Sequence, residues 1–161
     1  NNDIFYCPYI YGFSNYSRYG FKKNVLLFSN VMDLEGKGSV GTQLGGTGIA
    51  VSNSSSFKEK AFEYALWVAS SDCQKNIYYK NGGQPGNAVA WENEIINKET
   101  NNFFSGTRDT LEGAWVRPRH NGYMKFQDLG GDIINDFLKN NLNEEDIYDK
   151  LNYEFKKSFV Q

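Results

Sequence analysis

Apolar residues along this chain recur at two different spacings. From 52 to 70, "SNSSSFKEKAFEYALWVAS", Phe62, Ala65, Leu66 and Ala69 repeat at helical intervals behind a serine cluster able to cap a helix N-terminus. At the end of the chain, "NEEDIYDKLNYEFKKSF" sets Ile147, Leu151 and Phe155 on one stripe. Acids fill its first turn, and Lys156 and Lys157 its last, the charge order that a helix dipole favours. Between these, "SDCQKNIYYKNGG" predicts a helix capped by Ser71 or Asp72 and ended by Asn81 and Gly82 in a left-handed cap. "ENEIINKET" and "TRDTLEGAW" predict short helices around "NNFFSG", and "GYMKFQDLGGDIINDFLKNN" a helix interrupted or softened at Gly130 and Gly131.

The shorter apolar runs carry no such period. "NVLLFSNV" (24–31) predicts a buried strand and "GIAVS" (48–52) a short one, its isoleucine and valine suiting a pleated surface. The first 23 residues, rich in Tyr and Gly, read as extended pieces joined by turns, and "MDLEGKG" (32–38) as a polar turn. In "GGQPGNAVAW" the residues Gly82, Gly83, Pro85 and Gly86 forbid regular structure. Pro118 biases Arg117 towards an extended conformation.

One stretch fits neither spacing: "GTQLGGTGIAVS" (41–52), with four glycines in its first eight residues. A dinucleotide fingerprint needs a third glycine where Val51 stands and a helix where the chain turns apolar and extended. A phosphate-binding loop needs a Gly-Lys-Ser/Thr that is absent, and a flexible linker would continue as Gly and Ser. Two readings remain: backbone that approaches a ligand closely, with Thr47 adding a hydroxyl, or a bare crossing point between packed elements.

Composition narrows the chemistry. With 161 residues, 40% hydrophobic and 22% charged, one domain is expected, and a net charge of -2 argues against nucleic acid as a partner. One His and two distant cysteines, Cys7 and Cys73, cannot assemble a usual zinc site. The cysteines read as two free thiols, with a disulfide open if the protein is exported. No apolar run is long enough to span a membrane, and no signal peptide opens the chain. The absence of an initiating Met points to a processed chain or one cut from a longer one.

Catalytic machinery is not expected. His120 is the sole imidazole, no Gly-x-Ser-x-Gly elbow is present, and the acids Glu59, Glu63, Glu144, Glu145 and Asp146 sit on predicted helix faces where solvation accounts for them. No metal and no cofactor is implied. Aromatics instead make up 16% of the chain, and Trp91, Trp115, Arg117 and Arg119 form a constellation that suits sugars: indole faces stack on C–H surfaces while Arg forks bond hydroxyls or anions. Each Trp equally suits a buried core, and the Arg pair an ion-pair anchor.

The order of "LGGTGIAVSNSSSFKEKAFEYALWVASSDCQKNIYYKNGGQPGN", followed by "FFSGTRDTLEGAWVRPRHNGYMKFQDLGGDII" and a closing helix, resembles the C-terminal part of bacterial extracellular solute-binding proteins of family 1, the maltose-binding-like receptors of ABC importers. This resemblance covers nearly the whole chain. It implies an α/β fold, the C-terminal portion of a two-lobed periplasmic-binding-protein-like type II architecture, helix-rich with a few strands. Residues 1–52 would be extended segments and a hinge-crossing strand, 53–105 the helical part of one lobe, and 106–161 the return to the other lobe with terminal helices. The implied function is binding of an extracellular solute, usually a sugar or oligosaccharide, by lobe closure and its delivery to the membrane permease.

The implied ligand-binding residues are Gly45, Gly46, Thr47, Gly82, Gly83, Gln84, Pro85, Trp91, Trp115, Arg117 and Arg119. Thr47 stands where many relatives carry Trp. The implied location is outside the cell, surface-anchored or periplasmic, and at 161 residues the chain would lack the family's N-terminal part. A carbohydrate-processing enzyme or its accessory binding module is the competing class.

Overall fold

The computed structural model describes residues 5–8, 10–33, 36, 38 and 41–160, and separates the chain into two compact units, residues 1–116 and 117–161. The turn expected over 32–38 lies partly outside the described residues.

Helices dominate the first unit. They are α1 (Lys58–Ala69), α2 (Ser71–Cys73) with a π-helical continuation over Gln74–Tyr78, α3 (Ala88–Trp91), α4 (Glu94–Glu99) and α5 (Phe103–Glu112), preceded by a 3-10 turn at Ser14–Ser17. Local chemistry sets most of their starts. The side chains of Ser70, Asn87 and Asn93 each accept a backbone N–H from the first turn of α2, α3 and α4. α1 differs from expectation: its N-cap is Phe57, without a side-chain cap. The serines close the preceding turn instead, Ser55 Oγ accepting from Phe57 N–H at 3.2 Å.

α5 begins two residues into "NNFFSG", because Asn101 and Asn102 both adopt left-handed backbone (φ 49° and 60°) and turn the chain between α4 and α5. That turn buries Phe103 and Phe104. Together with Tyr79, Ala90, Trp91 and Ile96 they form the core, and Phe28 closes it edge-on against Phe103 at 5.0 Å. A cluster of two Phe, a Tyr and a Trp supplies large buried area from few residues.

The expected α/β architecture is corrected here: no β-sheet forms among the described residues. Their only bridges are isolated parallel pairs, Tyr19 with Lys22 and Gln43 with Trp115. The runs expected as strands lie extended with no ladder partner. Residues 24–31 follow α5 through side chains rather than backbone: Asn30 Oδ1 accepts from Thr110 N–H at 3.0 Å, and Val31 N–H donates to Thr110 Oγ1 at 2.8 Å. Leu27 and Ile49 stand in solvent. Apolar β-branched sequence favours extension, but a sheet needs a paired neighbour; among the described residues neither run joins a ladder, and 24–31 makes only an isolated bond, Leu26 N–H to Tyr16 O at 2.9 Å.

α1 shows the same lack of cover. None of its residues is buried, and Phe62 and Leu66, the expected core stripe, are 58% and 57% exposed. The half-buried side is Ala61, Ala65 and Val68.

The second unit holds α6 (Tyr123–Asn140), α7 (Glu144–Lys157) and a closing 3-10 turn, Ser158–Val160. α6 runs unbroken through Gly130 and Gly131, contrary to the expected softening. A Cβ on Gly130 would meet Leu151 and Phe126 only at ordinary contact distance, so close packing of α6 on α7 offsets the low helix propensity of glycine. Asn143 caps α7 by accepting from Glu145 N–H. His120 stacks on Phe159 (3.9 Å, 17°) and meets Tyr123 and Phe155 edge-on, and its Nε2 lies 2.7 Å from Ser158 Oγ. His120 is therefore part of an aromatic cluster.

Candidate functional site

Of the eleven residues predicted to bind ligand, nine belong to the first unit. Arg117 and Arg119 belong to the second, where Arg117 donates to Gln127 Oε1 at 3.2 Å. The nine sort into two groups by what surrounds them.

The "GGQP" loop is built into the fold at every position. Gly82 takes φ +85° at the end of the π-helical segment. Its N–H bonds Tyr79 O and that of Gly83 bonds Tyr78 O, the paired pattern of a left-handed helix cap. Gly83 is required by contact: a Cβ there would lie 2.5 Å from the Tyr78 ring. Gln84 grips the N-terminal segment, its Oε1 accepting from Ser14 N–H at 2.7 Å and its Nε2 donating to Gly12 O at 3.2 Å. Pro85 is fully buried, and its carbonyl accepts the Trp91 indole N–H at 2.7 Å.

Trp91 is thus a core ring, 8% exposed and edge-on to Phe104 at 5.1 Å. With both its face and its N–H engaged by protein, it offers a solute no stacking platform. Contacts from the loop and its neighbours clasp the Ser14–Ser17 turn. Asn15 donates to Gly82 O at 2.9 Å and Asn101 to Ser17 O at 2.7 Å. The Arg18 guanidinium sits 4.0 Å over the Tyr79 ring while donating to Tyr79 O. Tyr79 OH donates to Glu99 at 2.8 Å. Burial first, and this bond second, push the phenol up to about 12.

The other group is Gly45, Gly46, Thr47 and Trp115, and its surroundings are open. All four are exposed. A short parallel pairing holds this segment to the end of the first unit: Trp115 N–H donates to Thr42 O at 2.8 Å, and Leu44 N–H to Trp115 O at 2.9 Å. Nothing lies within 4 Å of the position a Cβ would take on Gly46 or Gly48, and on Gly45 only Tyr11, at 3.8 Å. Trp115 is 50% exposed and Tyr11 69%. The structure therefore sets bare backbone beside a phenol ring and ties it to the backbone of Trp115; Tyr11 escapes the sequence reading because "YIYGF" carries no spacing that assigns one tyrosine to Gly45.

Two other features lie outside the predicted set. Tyr64 and Trp67 form an exposed tilted ring pair on α1 (5.6 Å), legible in principle from their i, i+3 spacing. An open polar cleft of about 510 Å³ follows α4, lined by residues including Glu94, Lys98 and Asn102. Its buried wall, Asn97, is saturated: the amide donates to Trp91 O and Asn93 O and accepts from Ser105 N–H.

Among the described residues no group of His, Cys, Asp and Glu could hold a metal ion, and no helix is long and apolar enough to cross a membrane. No protein-family model, curated protein or solved structure matches this chain.

Proposed function

We propose that this chain recognises an extracellular solute, a sugar or oligosaccharide, as part of a receptor that delivers it to the permease of an ABC importer. One observation carries the recognition half: the exposed run Gly45–Thr47, whose glycines no packing requires, lies beside the Tyr11 ring and is tied through Thr42 and Leu44 to the half-exposed Trp115. Glycine backbone without side-chain cover leaves N–H groups open to hydroxyl oxygens, and aromatic faces stack on the C–H surface of a pyranose. The transport half rests on the order of sequence motifs, which resembles that of family 1 solute-binding receptors. In this reading Gly82, Gly83, Gln84, Pro85 and Trp91 shape the support of the site and do not touch ligand.

Isothermal titration against mono- and oligosaccharides tests the proposal. A saccharide should bind, and Trp115→Ala should weaken it by about 1–3 kcal/mol, the range of an interfacial aromatic anchor. Absence of heat with every saccharide, or unchanged affinity in Trp115→Ala, would remove the sugar assignment.

A further inference from the structure

The sequence contains two Asn-Gly steps, Asn81–Gly82 and Asn121–Gly122. At such a step the backbone nitrogen after asparagine can attack the side-chain amide, since glycine carries no Cβ to shield it. The structure treats the two steps differently. Asn81 Nδ2 donates to Ile77 O at 2.8 Å, and Gly82 N–H donates to Tyr79 O at 3.0 Å, so both reacting groups are held by the helix cap. Asn121 is exposed in the turn closed by Tyr123 N–H on His120 O. Among the described residues nothing hydrogen-bonds its side chain or the Gly122 N–H.

We propose that Asn121 is a site of spontaneous deamidation in this protein, and that the fold protects Asn81. The Gly122 nitrogen, giving its proton to water, forms a bond to Asn121 Cγ. The Cγ–Nδ2 bond breaks, and the amide nitrogen takes a proton from water and leaves as ammonia. The five-membered imide then takes up one water at either carbonyl, yielding aspartate or isoaspartate, with no change of oxidation state.

The location makes the product consequential. Gly122 is buried and packs its Cα against the closing turn, since a Cβ there would clash with the Ser158 carbonyl oxygen. Isoaspartate inserts a methylene into the main chain beside that contact, and the residue before it is His120, which stacks on Phe159. The modified chain should hold the Ser158–Val160 turn less firmly.

The test incubates the whole folded chain at mildly alkaline pH and follows amide-to-acid conversion by peptide mass mapping. Trypsin releases His120–Lys125, in which Asn121 is the sole asparagine. Asn121 should convert several-fold faster than Asn81 in the native chain, and denaturant should bring the two rates together. Comparable native rates, or conversion of Asn81 first, would overturn the proposal. Asn121→Gln, which demands a larger ring, should suppress conversion in this peptide, and continued acid formation there would overturn the assignment. After incubation the wild-type chain should melt below Asn121→Gln; equal melting would remove the structural consequence.

Discussion

The Gly82–Pro85 loop and the Gly45–Gly48 run are both glycine-rich and opposite in cause. In the first, Gly82 is fixed by its positive φ, Gly83 by the Tyr78 ring, Gln84 by two bonds to the N-terminal segment and Pro85 by burial. In the second, Gly46 and Gly48 meet nothing within 4 Å and Gly45 only the edge of Tyr11. Glycine lowers stability through backbone entropy, so its presence needs a reason either in the fold or outside it. The fold supplies that reason for the loop. It supplies none for Gly46 and Gly48, which is why the run, and not the loop, is the better place to look for a ligand.

Substitutions can break this comparison. The largest effect is expected for Gly83→Ala: a methyl 2.5 Å from a ring forces Tyr78 out of place, and overpacking of this severity costs about 3 kcal/mol, read as a lower denaturation midpoint at unchanged slope. Next comes Gln84→Ala, which strands the Ser14 N–H and Gly12 O bonds. A loss of about 1–3 kcal/mol should appear together with faster hydrogen exchange over Ser14–Ser17.

A third effect is a pH dependence of the clasp. Tyr79 titrates near 10 when unfolded and is pushed up to about 12 when folded, so the folded chain holds this proton longer. Stability from Tyr79 is therefore full below pH 10 and declines as pH rises from about 10 to about 12. Tyr79→Phe should flatten that part of the profile in pH-dependent unfolding. The smallest effect belongs to Gly46→Ala, with space for a methyl and no positive φ. It should raise stability by less than about 1 kcal/mol, through the unfolded chain alone. A melting loss as large as that of Gly83→Ala would erase the distinction between the two regions.

What could be read from sequence follows the range of the forces involved. α6, α7 and the cap at Gly82 are legible because periodicity, capping and a positive-φ glycine act within a few residues. Strands at 24–31 and 48–52 were expected because short apolar runs look alike whether or not a neighbour exists to pair with them, and neighbours are not written locally. For the same reason "AFEYALWVAS" announces a helix but not that Phe62 and Leu66 stay in solvent. The candidate site is half legible: the glycine run and Trp115 stand out in sequence. That Trp91 faces Phe104, that Gln84 reaches Gly12, and that Tyr11 adjoins Gly45 depend on contacts between residues far apart in the chain.

The most direct test of the central claim is isothermal titration of a saccharide panel into the wild-type chain and Gly46→Ala. The account predicts a saccharide that binds the wild type and binds Gly46→Ala more weakly by about 1–3 kcal/mol, while Gly46→Ala melts no lower than the wild type. Equal affinity in the two chains, or no binding by the wild type, would contradict it.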